Sequence, residues 1–390
     1  MGSGAVPCRA DVVAPGTTQL LGIAAEFNDV FFGDFYGKNG DIEGHAAIQG
    51  NVTAIDYGFG GGEMAKHQGE TVLVVGGNVN AKGTGVYDDN AYIKGTLTGI
   101  NTDGTKNSGQ WNSMHATDKV VAQYNQENLN YKAATGTVFA AEIADGAGRY
   151  DYHPHQELDA AQHHSFTTAA DVDLLFDFAV AKEQLTRTSA DLAALQSTVS
   201  GTFDSSNNYI IDLTGLSGLQ VVDIDAQVFQ TIGNLIGSNL YINTDLNADL
   251  TLLINITNQN ALEDLYLRRE FVINGQGGES SGIEHINGSF DGSNILINTD
   301  MSHITIENTA INASLLALDA EVYIQHGNIN GQTFAGSGYT ENGGEFHAYY
   351  TFDDKHLTTN ATPEPATMLI FGLGALAASA FTAARRRMRK

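Results

Sequence analysis

Cysteine is all but missing from this chain. Cys8 is the only one in 390 residues, which excludes an intramolecular disulfide and a thiolate metal cluster. Proline is scarce, at five residues, which argues against a disordered linker-type chain. Basic residues are few: 19 Lys and Arg stand against 45 Asp and Glu, for a net charge of −26. Such a surface repels nucleic acid and anionic lipid, so nucleic-acid binding is excluded as a role. No P-loop, dinucleotide fingerprint, CxxC or H-E-x-x-H motif occurs. The stretch from Met1 to Leu21 has neither a basic start nor a long apolar run.

What is abundant is glycine, 44 residues, together with asparagine, a composition of many tight turns. The length suits one large elongated domain or two ordinary ones. Ile48-Gln49-Gly50-Asn51-Val52, Val75-Gly76-Gly77-Asn78-Val79 and Ile93-Lys94-Gly95-Thr96-Leu97 repeat one form: a short apolar strand, a Gly, and a resumed strand. The spacing of Gly50, Gly77 and Gly95 is irregular but lies in the range of stacked coils. Each Gly is a residue able to take a positive φ between the two strands. Stacked coils would form parallel ladders around a stripe of Val, Ile and Leu; an antiparallel sandwich of hairpins is the alternative.

One long helix is expected over 169–200. Leu175, Phe178, Leu185, Leu192, Leu195 and Val199 keep one face apolar, Thr168 is the expected N-cap and Gly201 the stop. From Tyr209 to Tyr350 short β-rich runs return, including Leu250–Ile256 and Val322–Ile324. Ile-Asn-Thr-Asp occurs at 242–245 and again at 297–300, which reads as coil-to-coil recurrence. Asn255, Asn274, Asn298 and Asn330 sit beside apolar strand residues, either as inward asparagines bonded coil to coil or as turn residues facing water.

Chemistry is thinly signalled. Gly278-Glu279-Ser280-Ser281-Gly282 has the G-x-S-x-G form of a nucleophile elbow, but no helical period follows it, so it reads as a turn. His153, His155, His163 and His164 lack regular ligand spacing and read as loop histidines. Asp88-Asp89-Asn90 and Asp353-Asp354 offer oxygen ligands of the kind calcium takes, without any recognisable calcium loop; solvated acidic turns are the better reading. No catalytic, cofactor or metal residue is assigned, and no cofactor is expected.

The C-terminus carries the firmest signal. Pro363-Glu364-Pro365 is followed by the uncharged span 366–384, then by Arg385, Arg386, Arg387, Arg389 and Lys390. As a helix the span would measure about 28 Å, close to a bilayer core, and the basic end would stay cytoplasmic. Residues 1–362 would then lie on the far side of the membrane, and they keep 14 basic against 44 acidic residues. The order of parts resembles the PEP-CTERM sorting signal of Gram-negative bacteria. That resemblance implies an exosortase-type membrane protease as partner, cleavage near Pro363-Glu364-Pro365, transient residence in the inner membrane, and release to the cell surface or matrix. An ordinary C-terminal membrane anchor is the alternative. Export also implies a signal peptide, expected upstream of Met1, with residues 1–19 as the remnant of that region.

Phe27-Asn28-Asp29-Val30-Phe31-Phe32-Gly33-Asp34-Phe35, with Asp41-Ile42-Glu43-Gly44 and the Gly-Asn-Val segments, resembles the choice-of-anchor A domain of bacterial surface proteins. The resemblance spans about residues 20–352, departing at Asn39-Gly40 and at Gln49. It implies a parallel β-helix with a long helix alongside, an arrangement also found in bacterial ice-binding adhesin domains. The chain thus reads as a mainly β solenoid over 20–352, a polar linker over 353–362 and a sorting tail over 363–390. Its expected role is adhesion or matrix structure, with an extracellular polysaccharide or surface ligand as partner. A secreted polysaccharide hydrolase or lyase is the alternative. Ice binding would call for flat Thr-rich faces, and the threonines are scattered.

Overall fold

Runs such as Thr71–Val75 and Leu250–Thr257 are β-branched and apolar on both sides of the chain, the composition of strands buried on two faces. The computed structural model describes residues 20–60, 71–86, 90–99, 114–116, 119–123, 137–140, 175–234, 238–245, 247–258, 261–275 and 290–357. Among these the strands pair in parallel, except where Thr202–Phe203 meets Tyr209–Asp212 antiparallel. The chain is a β-solenoid, and the sandwich alternative falls.

Coils place their strands on three faces, one after another. Asp29–Phe31, Ala46–Ile48 and Thr71–Val75 lie on the first face. Phe35–Lys38, Val52–Ile55 and Val79–Lys82 lie on the second. Asp41–Ile42, Gly58–Phe59 and Thr84–Val86 lie on the third. The longer strands Asn90–Gly99, Ser314–Gln325 and Thr333–Glu341 run across the first two faces.

The coils do not stack in chain order. Asp29 pairs with Ala46 on one side and with Thr333 on the other, so the first coil sits inside the stack. One arm continues through the strands at 46, 71, 90, 119 and 137. The other runs through those at 333, 314, 295, 250 and 218. The core at the junction is aromatic: the Phe31 ring lies 5.1 Å from Phe35 and 5.3 Å from Phe346. Along both arms it is filled by Val, Ile, Leu and Ala.

Helix α1, Phe178–Ala193, covers the first face. Its Phe178, Ala181, Leu185 and Leu192 pack with the outward side chains Val30, Val74, Leu253, Leu296 and Leu316. The first-face strands are therefore buried on both sides. The helix is shorter than the expected 169–200, about 24 Å long. It starts at Asp177, whose carboxylate accepts from the N–H groups of Ala179 and Val180. It ends at Ala193 because the backbone N–H groups of Thr198 and Val199 pair with Val221 O, drawing the chain into the sheet. The expected cap Thr168 lies outside the described residues. A second helix, α2, Ala226–Asn234, was not expected; it takes the second-face position in its coil, with Ala226, Phe229 and Ile232 buried in the core.

Three readings change in detail. Gly50, Gly77 and Gly95 do occupy one column, with Gly95 N–H donating to Gly77 O at 3.0 Å. None of the three has a positive φ. They are glycines because a Cβ on Gly77 would stand 2.4 Å from Gly50 O. The two Ile-Asn-Thr-Asp segments fall on different faces, since Ile242 pairs with Ile211 and Ile297 with Ile254. Asn298 donates to Asn255 and Asn330 to Asn312, coil to coil, and Asn274, a turn residue at φ 49°, accepts from the Thr244 N–H of the neighbouring coil at 2.7 Å. Asn298 also exchanges hydrogen bonds with Ser189 of α1, and Asn255 donates to Leu192 O.

Candidate functional site

The first face is covered by α1, and the third is built from short strands of two to four residues. Among the described residues the second face carries the longest strand surface not covered by a helix. Alternation along each strand sends every second side chain outward, and parallel register lines those residues up across coils. One outward row reads Tyr266, Thr305, Tyr323, Tyr339, Tyr36, Thr53, Asn80. All seven are half-buried, their bodies against neighbours and their edges in solvent.

The tyrosines touch one another. Tyr36 stacks on Tyr339 with centroids 4.6 Å apart and planes 14° apart. Tyr323 meets Tyr339 edge-on at 5.1 Å. At the far end Arg268 lies over Tyr266 at 4.6 Å and pairs with Glu307 at 2.8 Å. Tyr323 Oη donates to Gln325 at 2.9 Å. Burial, and after it the charge of Glu341, raises the pKa of Tyr36 and Tyr323. Tyr339 is raised further, by burial and by its hydrogen bond to Glu341. The phenols are neutral hydrogen-bonding groups.

A groove of about 540 Å³ runs beside the Tyr36–Tyr339 stack, lined also by Asp34, Asn51, Glu321 and Ser337. Its polar wall is preset: Asp34 Oδ1 accepts from Asn51 N and Nδ2, and Asn51 Oδ1 accepts in turn from Asn78 N and Nδ2. Aromatic ring edges and phenol hydroxyls beside a fixed set of carboxylate and amide groups suit a ligand with apolar C–H patches and many hydroxyls.

The residues singled out from sequence fall elsewhere. Pro363, Glu364, Pro365, Arg385, Arg386, Arg387, Arg389 and Lys390 lie outside the described residues, as do the span 366–384, Ser280, Asp88, Asp89, and His153, His155, His163 and His164. Among the described residues no helix is long and apolar enough to cross a membrane. Asp353 and Asp354 serve the fold: Asp354 accepts from Leu20 N–H at 2.9 Å, and Asp353 pairs with Lys355 at 3.4 Å. Leu357, within the expected linker, is buried. The tyrosine row was missed, because Tyr36 and Tyr339 are brought together only by the pairing of the first coil with the last.

A family model described as a putative ice-binding-like adhesive domain matches residues 20–348, and the PEP-CTERM protein-sorting motif matches residues 361–387. No curated protein matches the chain. Among solved structures, the ice-binding protein_1 DUF3494 domain of Shewanella frigidimarina is 12% identical, with 84% of this chain and 96% of that one covered at a TM-score of 0.30. An ice-binding protein from an Antarctic Biological Consortium is 12% identical, with coverage of 89% and 94% and a TM-score of 0.29. One from an Antarctic bacterium of the Flavobacteriaceae is 13% identical, with coverage of 83% and 80% and a TM-score of 0.26. With its sorting motif at the C-terminus and the adhesive-domain match across most of its length, the chain belongs to the family of putative ice-binding-like adhesive domains.

Proposed function

We propose that this is an exported surface protein that adheres to extracellular polysaccharide through the tyrosine row and groove of its second face. The observation that carries the reading is the stacked Tyr36–Tyr339 pair, continued by Tyr323, along the groove. Sugar rings set their C–H groups against aromatic edges such as these and spend their hydroxyls on the phenols, carboxylates and amides that line the groove. The coil spacing of about 4.8 Å repeats these contacts along a polymer. Thr53 and Thr305 share the row, but tyrosine rings interrupt them, which favours a polymer over a flat lattice such as ice.

Sorting supports the same reading. The PEP-CTERM match covers Pro363-Glu364-Pro365 and most of the basic end. In this proposal an exosortase recognises the 366–384 span in the inner membrane and cleaves near Pro363-Glu364-Pro365, leaving the acidic body at the surface or in the matrix. The choice-of-anchor A resemblance describes the same division of labour between body and tail. A hydrolase or lyase in the groove would need an acid and a base facing one bond, whereas Asp34 is committed to Asn51.

The test is retention on the producer's own exopolysaccharide. Tyr36→Ala with Tyr339→Ala should weaken retention roughly tenfold or more, the usual scale for losing aromatic anchors, with the melting transition kept. Full retention, or thermal hysteresis that the double variant abolishes, would overturn the polysaccharide assignment.

A further inference from the structure

Away from the tyrosine row, metal-ligating side chains gather on the third face where the two arms of the stack meet. Phe346 pairs with Ile42 there. Asp41 and Glu43 flank one member of that pair, and Glu345 and His347 flank the other. One ligand atom from each of Asp41, Glu43 and His347 lies within 4.8 Å of the other two. His347 is buried, and both carboxylates are half-buried.

A chain of amides fixes the state of the imidazole. Asn312 Nδ2 faces Phe271 O at 3.5 Å, an oxygen that can only accept. That turns Asn312 Oδ1 toward Asn330 Nδ2 at 2.6 Å, and so turns Asn330 Oδ1 toward His347 Nδ1 at 3.0 Å. Nδ1 therefore carries a proton. Nε2 points the other way, 2.9 Å from Glu345 Oε2 and 4.0 Å from Glu43 Oε1. A histidine whose far N–H is held by an oxygen while its other nitrogen faces carboxylates has the arrangement found around bound metals.

A proton on Nε2 would bring one positive charge to three carboxylates. The crowding is visible in the distances: Glu345 and Glu43 both approach Nε2, and Asp41 brings a third carboxylate oxygen within 4.8 Å of the same cluster. Asp41 Oδ1 is also closed to solvent and lacks a hydrogen-bond partner. A divalent ion answers both conditions.

We propose that Asp41, Glu43 and His347 form a site for a divalent transition cation, zinc by preference, that ties the first coil to the last. One imidazole with carboxylate oxygens is a donor set for zinc; calcium takes roughly six to eight oxygens and no nitrogen. Zinc bonds of about 2.0–2.2 Å ask the three side chains to close by under about 1 Å each. Glu345, already against Nε2, stands beside them as a fourth donor.

The experiment strips the full chain with chelator and titrates it with zinc chloride and with cobalt chloride. Expected are one tight zinc per chain, a cobalt absorption band in the visible, and a melting temperature raised by roughly 5 °C at hundredfold excess over Kd. His347→Gln and Asp41→Asn should each abolish all three. Replacing His153, His155, His163 and His164 together by Asn should leave them intact. Metal-free melting of each variant verifies that it folds, and Glu43→Gln provides a substitution nearer solvent. Equal uptake by wild type and His347→Gln, or no uptake by wild type, would overturn the site. Stabilisation by calcium but not by zinc would overturn the choice of ion.

Discussion

Placing a single methyl at Gly77 tests the stacking directly. An ideal Cβ there lies 2.4 Å from Gly50 O, 2.6 Å from Gly50 C and 2.9 Å from Asn51 N, all backbone atoms of the neighbouring coil. None is the end of a flexible side chain, so the two coils must separate locally. The same corner carries the asparagine ladder, in which Asn78 N and Nδ2 donate to Asn51 Oδ1 at 3.0 and 3.1 Å. Overpacking of this kind costs about 1–3 kcal/mol, and each strained hydrogen bond adds about 1 kcal/mol. Gly77→Ala should therefore destabilise by about 3 kcal/mol, lowering the melting temperature by on the order of 6 °C. The comparison is Gly343→Ala, where φ is +75° and nothing lies within 4 Å of the added carbon. That change meets only the left-handed backbone cost of about 1–2 kcal/mol. Calorimetric or circular-dichroism melting of the two variants decides the matter. If Gly77→Ala is no worse than Gly343→Ala, close approach between coils is not why glycine occupies the column.

Three further outcomes follow from the geometry. Asp29 is fully buried, and burial drives its pKa well above the ordinary carboxylate range, against a smaller pull from the Thr333 hydroxyl. A raised folded-state pKa gives stability that is complete below the unfolded value and is lost as pH rises through the folded one. Urea midpoints should fall toward alkaline pH, and Asp29→Asn should flatten that slope; an unchanged slope would refute a neutral Asp29. Asn298→Ala removes the bonds to Ser189 and Asn255 and should cost about 2–3 kcal/mol in urea unfolding, with hydrogen exchange in α1 rising. A strain lacking residues 363–390 should lose surface display by immunolabelling; display kept at the wild-type level would refute the sorting proposal.

Much of this fold was legible because a solenoid writes its local pattern into sequence. Val75-Gly76-Gly77-Asn78-Val79 carries the inward stripe, the corner and the next strand within five residues. What sequence could not carry is decided by pairings across hundreds of residues. Nothing near Asp29 announces that Thr333 will lie beside it. The candidate face depends on that same pairing, since it alone brings Tyr36 onto Tyr339. The apolar positions of α1 were readable, and Phe178, Leu185 and Leu192 are buried as their spacing implies. Its end was not readable, because the competing partner of Thr198 and Val199 is Val221, on another element. Gly50, Gly77 and Gly95 were correctly placed between strands for the wrong physical reason: distance to the next coil, not backbone handedness, selects them.

The interior position of the first and last coils bears on how the molecule carries load. A strand at the end of a stack can be peeled from a single neighbour, one hydrogen bond after another. Thr333–Glu341 instead has Ser314–Gln325 on one side and the strands Asp29–Phe31 and Phe35–Lys38 on the other. Tension transmitted back along the chain through Leu357 first meets Glu345–Phe346, held between Asn328–Ile329 and Asp41–Ile42, and then Thr333–Glu341, each gripped from two sides. Near the point of entry, Asp354 clamps Leu20 and Asn28 O accepts from Thr333 N–H. Unzipping would have to open both ladders together, so the strands nearest Leu357 in the chain are among the mechanically strongest described. Under the proposed adhesive role, that is an apt place to bear a pull.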